Sequence, residues 1–121
     1  KGAYLEPPEI AFPDKSDVDS HYVAIMDDYL QSDAKLEIAT HDENMIDSAL
    51  TMIDTYAIPQ DRYEFQMLYG IRTSRQLELA QAGHPVRVYV PFGDAWYPYF
   101  MRRLAERPAN LWFFLQSLFR R

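Results

Sequence analysis

Two adjacent arginines, Arg102 and Arg103, stand in one of the most aromatic stretches of the chain, YPYFMRRLAERPANLWFF at residues 97–114. A guanidinium is costly to bury unless a negative group meets it, and its planar fork of donors suits a carboxylate. Tyr99 precedes the pair by three and four residues, so on a helix it shares their face. The residues alone leave two interpretations open: an anion site, or a basic helix surface on which either arginine pairs with Glu106.

Polar residues, together with glycine and proline, gather at the carboxyl end of each predicted strand. They are Lys1, Gly2 and Tyr4; Thr40, His41 and Asp42; Gln66, Tyr69 and Gly70; and Tyr89, Pro91 and Gly93. Barrels and open α/β sheets bind their ligands at the carboxyl ends of parallel strands. The repetition therefore favours a binding face, although turns also need Gly, Pro and Asp.

Helical and strand patterns alternate along the chain and would position these groups. KGAY resembles the tail of a strand. The spacing of apolar residues then predicts helices over 17–31, 45–56 and 73–82, the second with Asp42 as N-cap and the third ended by Gly83. It also predicts strands over 35–41, 63–70 and 85–90, a helix from about Asp94 and a last helix from about Ala109. Such alternation indicates a parallel sheet covered by helices. Four units, the first truncated, indicate either part of a barrel, since a complete one needs about 200 residues, or a small doubly wound sheet.

Composition and charge exclude several classes of function. The net charge of −6 argues against a general nucleic-acid binder. No stretch approaches the roughly 18 to 20 apolar residues of a membrane helix, and without cysteine there is no disulfide, thiolate metal site or cysteine nucleophile. The three histidines, at positions 21, 41 and 84, show no metal-like grouping with carboxylates, so no metal is expected.

Four segments together resemble the proline dehydrogenase family, closely its short monofunctional bacterial type and less closely the corresponding domain of the proline utilization A proteins. They are KGAYLEPPE, ATHDE, YEFQMLYG and YVPFGDAWYPYFMRRLAERPAN, in that order, from Lys1 to about Phe114. The resemblance implies an α/β fold, the C-terminal part of a (β/α)8 TIM-like barrel from the end of strand five to helix eight. Residues 1–121 would form one partial barrel domain, including a terminal helix at about 109–121.

The function implied by the resemblance is FAD-dependent oxidation of L-proline to Δ1-pyrroline-5-carboxylate, with electrons passed to a quinone. Substrate-pocket positions of the family match Arg102, Arg103, Tyr89, Tyr99 and Leu68, with the two arginines holding the proline carboxylate. Flavin-binding positions match Lys1, Gly2, Ala3, Thr40, His41, Gln66 and Glu106. Each has a simpler alternative: Lys1 as a solvated terminus, His41 as a structural histidine, Gln66 as a polar residue inside a barrel.

The same resemblance implies that this chain lacks part of the site. An active-site lysine, an aspartate and an arginine of the family would precede Lys1, so no catalytic residue is expected within the chain, which would need the N-terminal half of the barrel. The isolated chain is then expected to fold poorly. We expect a cytoplasmic protein, and the terminal LWFFLQSLFRR could either dock on the barrel or touch the inner membrane surface.

Two other functions remain open from the residues. A small non-enzymatic α/β module could bind an anionic ligand or partner at its strand ends. A barrel lyase or aldolase would need a Schiff-base lysine inside the barrel, and Lys1 and Lys35 are the lysines on predicted strands.

Overall fold

The computed structural model describes residues 7–98 and Met101. The chain divides into two units, one of residues 8–90 and one of residues 1–7 with 91–121. The first unit contains α1 (Lys15–Gln31), β1 (Leu36–Ala39), α2 (Glu43–Thr55), β2 (Tyr63–Leu68), α3 (Thr73–Gln81) and β3 (Val86–Tyr89). A short 3₁₀ helix, Gln60–Arg62, precedes β2.

The three strands form one parallel sheet in the order β1–β2–β3. Leu36 lies opposite Tyr63 and Ala39 opposite Gln66, while Phe65 lies opposite Val86 and Leu68 opposite Tyr89. Because crossovers between parallel strands are right-handed, a sheet whose order does not reverse carries α2 and α3 on the same side.

Side chains alternate between two faces of this sheet. The face toward the helices, called the helix face, is apolar and carries Leu36, Ile38, Tyr63, Phe65, Met67 and Val86. The opposite face, called the open face, carries Glu37, Ala39, Glu64, Gln66, Leu68, Arg87 and Tyr89. Four of the open-face residues are exposed: Glu37, Ala39, Arg87 and Tyr89.

The core lies between the helix face and the helices. Ile38 and Phe65 from the sheet are fully buried together with Ile46 of α2 and Leu79 of α3. Met26 and Leu30 of α1 are buried in the same cluster. Burial of such side chains is worth roughly 1.5–3 kcal/mol each, so this one-sided layer is the main source of stability for the unit.

The ends of α2 and α3 are fixed by local chemistry. The carboxylate of Asp42 accepts a hydrogen bond from the Asn44 amide and caps α2, as predicted. Beyond α3, Gly83 has φ of +89°, a left-handed conformation that stops the helix where the sequence predicts.

The predicted helices and strands of the first unit are confirmed, with bounds that differ by one or two residues. Two positions differ in burial: Tyr29 and Tyr56, which share the apolar spacing of α1 and α2, are 49% and 41% exposed. The Tyr56 hydroxyl donates to the Asp27 carboxylate over 2.6 Å, which keeps that ring at the surface.

The rest of the predicted order is only partly within the described residues. Residues 96–98 and Met101 are helical, in agreement with a helix beginning near Asp94. The KGAY strand and the terminal helix at 109–121 lie outside the described residues. The α/β class and its parallel sheet are confirmed, whereas closure into an eight-stranded barrel stays a prediction. Among the described residues, each helix is too short or too polar to span a lipid bilayer.

Candidate functional site

The carboxyl ends of the three strands adjoin at one edge of the sheet. Ala39 lies beside Gln66, and Leu68 lies beside Tyr89. Five of the residues predicted to bind ligands fall at this edge, and we call them the strand-end site: Thr40, His41, Gln66, Leu68 and Tyr89. The structure therefore brings residues from three separate segments of sequence into one neighbourhood.

The imidazole of His41 links the end of β1 to the end of β2. Its Nε2 accepts a hydrogen bond from the backbone N–H of Leu68 over 2.9 Å. An accepting Nε2 places the ring proton on Nδ1 in the neutral tautomer. The backbone carbonyl of His41 accepts from Arg72 Nη1 over 2.7 Å, so the residue is held through both its ring and its main chain.

Leu68 is held on its other side by Gln76 of α3. The Gln76 amide nitrogen donates to the carbonyl of Leu68 over 2.9 Å and to that of Ile71 over 2.8 Å. Gln76 is only 7% exposed, and these two bonds satisfy both of its N–H donors. The backbone of Leu68 is thus fixed by side chains from β1's end and from α3.

Thr40 lies on the helix face of the sheet, whereas Gln66, Leu68 and Tyr89 lie on the open face. It is 4% exposed and follows Leu36 and Ile38 on the helix face. Its Oγ1 accepts from the Asp42 amide over 3.1 Å, which shapes the turn into α2. This placement gives Thr40 a structural role, and its contact with a cofactor stays a prediction.

The charge of Asp42, which follows His41, is met by a cation. The Lys15 ammonium lies 3.1 Å from Asp42 Oδ2 and also pairs with Asp19. Hydrogen bonds to Asp19 and Asp42 raise the pKa of Lys15 above its ordinary value. Lys15 therefore compensates part of the charge of Asp42, because the same ammonium is shared with Asp19.

Gln66 belongs to a charged group on the open face, which we call the Glu64 cluster: Lys35, Glu64, Gln66 and Arg87. Gln66 Nε2 donates to Glu64 Oε1 over 2.8 Å. Arg87 meets both oxygens of the same carboxylate, at 2.5 and 3.0 Å, and Lys35 Nζ lies 3.3 Å from Oε2. Hydrogen bonds from Arg87, Gln66 and Lys35, the largest from Arg87, lower the pKa of Glu64 to about 2 despite its burial.

Tyr89 and Leu68 supply apolar surface beside these polar groups. The Tyr89 side chain is 55% exposed, and Leu68 is half-buried. Both lie on the open face with Gln66, at neighbouring strand ends. The edge thus offers an aromatic ring and an aliphatic side chain next to an amide and an imidazole, which is the kind of lining that a small organic ligand uses.

The remaining predicted site residues lie outside the described residues. They are Lys1, Gly2, Ala3, Tyr99, Arg102, Arg103 and Glu106. Whether the paired arginines face the strand-end site therefore stays a prediction.

Sequence reasoning missed three side chains that organise the edge: Glu64, Arg87 and Gln76. At each of these positions the strand or helix pattern fits many residue types, so it predicts no role in the site. Opposite charges at Glu64 and Arg87 could have indicated a pair, but only with the register of β2 against β3 in hand. A buried glutamine on a short helix carries no such signal.

The described residues hold no group of three or more His, Asp or Glu side chains able to bind a metal ion. Lys35 lies before the amino end of β1 and is ion-paired with Glu64. A Schiff-base lysine needs a neutral amine, so this arrangement does not favour the lyase or aldolase interpretation.

Comparison with known proteins agrees with the motifs. A family model described as "Proline dehydrogenase" matches residues 1–116. The chain is 48% identical over 118 residues to proline dehydrogenase 2 of Bacillus subtilis, covering 98% of this chain and 39% of that protein. It is also 48% identical over 118 residues to proline dehydrogenase of Deinococcus radiodurans, covering 98% of this chain and 38% of that protein.

A more distant relative is human mitochondrial proline dehydrogenase 1, 36% identical over 77 residues, which are 60% of this chain and 13% of the human protein. The chain spans about 40% of the length of the bacterial relatives named above. The family match covers almost all of this chain and includes every residue of the strand-end site. The chain therefore belongs to the proline dehydrogenase family.

Proposed function

We propose that this chain acts in the FAD-dependent oxidation of L-proline to Δ1-pyrroline-5-carboxylate, as part of an eight-stranded barrel. The observation that carries the proposal is the meeting of three family segments at one sheet edge, where His41, Leu68 and Tyr89 follow one another on adjacent strands. The sheet order supports the barrel, since a doubly wound sheet reverses its order at some point and β1–β2–β3 does not.

The substrate would bind through its carboxylate and its apolar ring. Arg102 and Arg103 are proposed to hold the carboxylate, because a guanidinium fork matches its two oxygens. Tyr89, with Tyr99 and Leu68, would enclose the pyrrolidine ring, and the exposure of the Tyr89 ring leaves it able to do so. Binding at two ends of so small a molecule would fix the orientation of the carbon next to nitrogen, from which a hydride must leave.

The residues of the edge fit a flavin. His41 has Nδ1 as its ring donor, Gln66 has an amide, and half-buried apolar surface lies beside them. Lys1, Gly2, Ala3 and Glu106 are proposed to complete the cofactor site, and Thr40 to support it from the helix face. Bound FAD would accept the hydride, and the protein's part is orientation and electrostatics.

The electron acceptor is proposed to be a quinone. The protein would then work in the cytoplasm, where the aromatic and basic residues 111–121 could touch the inner membrane surface. Residues 1–121 are proposed to form one partial barrel domain in this arrangement.

The test uses the protein expressed from its complete reading frame, because the chain spans only part of the length of its relatives. We expect a yellow protein whose flavin absorbance is bleached by L-proline without oxygen and is unchanged by D-proline. Absence of bound flavin would contradict the cofactor, and a flavin that L-proline leaves oxidised would contradict the substrate.

Replacement of Arg102 tests the carboxylate site. We expect Arg102→Ala to weaken proline binding by roughly 2–3 kcal/mol, because two charge-assisted hydrogen bonds are lost. Arg102→Lys should also weaken it, since an ammonium lacks the fork. The control is Arg120→Ala, at the same basic end but without a proposed role in substrate or flavin binding, and the measurement is KM for L-proline. An unchanged KM in Arg102→Ala would contradict the site.

A further inference from the structure

Glu64 is an acid in an unusual place, within a strand and almost covered. Its side chain is 7% exposed, and three groups bond to its carboxylate: Arg87, Lys35 and Gln66. Buried acids are costly unless they are paired and hydrogen-bonded. The two cations satisfy that requirement, so the bond to Gln66 is additional to what the charge needs.

A carboxylate held between two cations is an acceptor only. It can therefore bind the NH₂ group of Gln66 but repels the carbonyl oxygen of the same side chain. Gln66 Nε2 does lie 2.8 Å from Glu64 Oε1. A glutamine amide normally has two orientations of similar energy, and here the charge selects one.

The positions of Glu64 and Gln66 along β2 decide which atom of the Gln66 amide faces the strand-end site. Glu64 and Gln66 are two residues apart in β2 and share the open face, with Gln66 nearer the carboxyl end. With its nitrogen bonded back to Glu64, the amide has its Oε1 on the other side of the amide carbon. Gln66 thus turns its acceptor oxygen, and not the N–H that is bonded to Glu64, toward a ligand at the strand-end site.

We propose that Glu64 is a positioning residue which, through Gln66, makes the strand-end site accept a hydrogen bond from an N–H or O–H donor of the bound flavin. This inference rests on the proposed function, because it takes FAD as the ligand. In oxidised flavin the ring has one such donor, the imide N–H, while the other polar ring atoms are acceptors. The ribityl chain supplies hydroxyls that could serve the same oxygen.

A double-mutant cycle on the protein from its complete reading frame tests this role. The variants are Glu64→Gln, Gln66→Leu and the double variant, and the readout is the dissociation constant of FAD from the apoprotein, measured by flavin fluorescence. Glu64→Gln frees the amide of Gln66 to turn, so we expect affinity to fall on the order of 3- to 10-fold. In the Gln66→Leu background the same substitution should change affinity less than about 2-fold.

Glu37→Gln is the matched control. Glu37 lies opposite Glu64 on β1 and on the same face, but it is exposed and does not bond to Gln66. Glu37→Gln removes one negative charge from the same face as Glu64→Gln does, and we expect FAD affinity to stay within about 2-fold of the wild type. A weakening equal to that of Glu64→Gln would make the effect one of general charge and would overturn the proposal.

The other outcomes distinguish a failure of this inference from a failure of the proposed function. Equal weakening by Glu64→Gln in both backgrounds would show a structural effect that bypasses Gln66, and the inference would fail while the proposed function stood. If Glu64→Gln does not fold, Gln66→Leu decides, because unchanged FAD affinity in that variant removes the contact on which the inference depends. Wild-type protein without flavin affinity would instead defeat the proposed function itself.

A flavin methylated at the imide nitrogen distinguishes the two possible donors. Weaker binding of this analogue to the wild type, but not to Gln66→Leu, would support the ring imide as the donor. Equal binding of both flavins to the wild type, together with the expected cycle, would support a ribityl hydroxyl.

Discussion

At the residue scale, the ring of His41 takes the place of a backbone carbonyl at the end of β2. The amides of Phe65 and Tyr69 donate toward β3, to the carbonyls of Pro85 and Tyr89. The amide of Leu68 points the other way, toward β1, and there it meets His41 Nε2. The ring of His41 therefore has a structural role at this end of the sheet, and its contact with a cofactor stays a prediction.

Loss of the His41 ring should destabilise the sheet edge. We expect His41→Ala to lower the free energy of unfolding by about 1–3 kcal/mol, because the part-buried amide of Leu68 loses its acceptor. His21→Ala is the control, since His21 is exposed and its ring contacts Phe12 away from the strands. Urea unfolding of the protein from its complete reading frame measures both. Equal stability of the His41 variant and the wild type would show that water or another group replaces the ring without cost.

The Glu64 carboxylate should make stability depend on acid pH. Its pKa is about 2 in the folded protein against an ordinary 4.5. A group whose pKa is lowered on folding stabilises the protein above the unfolded value, so this contribution is complete above about pH 4.5 and is lost as pH falls toward 2. We expect the wild type to lose stability over this range more steeply than Glu64→Gln, because the other carboxylates titrate in both proteins.

Thermal unfolding at a series of pH values compares the two proteins. Glu37→Gln, which keeps the Glu64 cluster, should follow the wild-type curve. Parallel curves for the wild type and Glu64→Gln would mean that Arg87 and Lys35 do not hold the carboxylate in solution as they do in the structure.

At the element scale, α2 is the helix whose start the sequence specifies best. Asp42 is an N-cap by residue type, and its Oδ1 meets the Asn44 amide at 3.1 Å. We expect Asp42→Ala to cost about 0.5–2 kcal/mol of unfolding free energy. Asp42→Asn should cost less, since asparagine caps equally well and the substitution removes the charge that pairs with Lys15. Chemical denaturation of both variants checks this, and equal losses would assign the effect to the ion pair.

The helices and strands could be predicted because local pattern determines them. Apolar spacing located α1 and α2, and alternation in KLEIATH placed Leu36, Ile38 and Thr40 on one face, as observed. The Glu64 cluster and the hydrogen bonds from His41 and Gln76 to the Leu68 backbone could not be predicted in this way. Most of these contacts join residues that are 8 to 29 positions apart in the sequence. Such contacts depend on strand register and crossover geometry, neither of which has a signature in a single short segment.

At the scale of the molecule, the acidic side chains are stabilised in two different ways. Eight of the thirteen acids of residues 14–64 are exposed, so their charge is solvated. On the open face, Glu64 is instead buried and paired with both Arg87 and Lys35, so the two cations outweigh its charge beneath the strand-end site. A ligand at this edge would meet oriented dipoles and not an uncompensated carboxylate.

The unpaired edges and exposed side chains of the sheet also decide how the 121-residue chain should behave by itself. Among the described residues, β1 and β3 each pair only with β2, so both carry unpaired backbone groups on one side. Val88, Tyr89 and Val90 are 37%, 55% and 57% exposed at the β3 side. Unpaired strand edges beside apolar side chains promote association.

We therefore expect the isolated chain to form oligomers that grow with concentration and to unfold over a broad temperature range. Light scattering after gel filtration and circular dichroism during heating measure the two properties. The same chain within its complete reading frame is the control, and there we expect a discrete species with a sharp transition, because further strands and side chains would cover the open face. A monomeric 121-residue chain with a sharp, cooperative transition would show instead that the helix-face core is sufficient for folding, and would remove the need for a barrel around it.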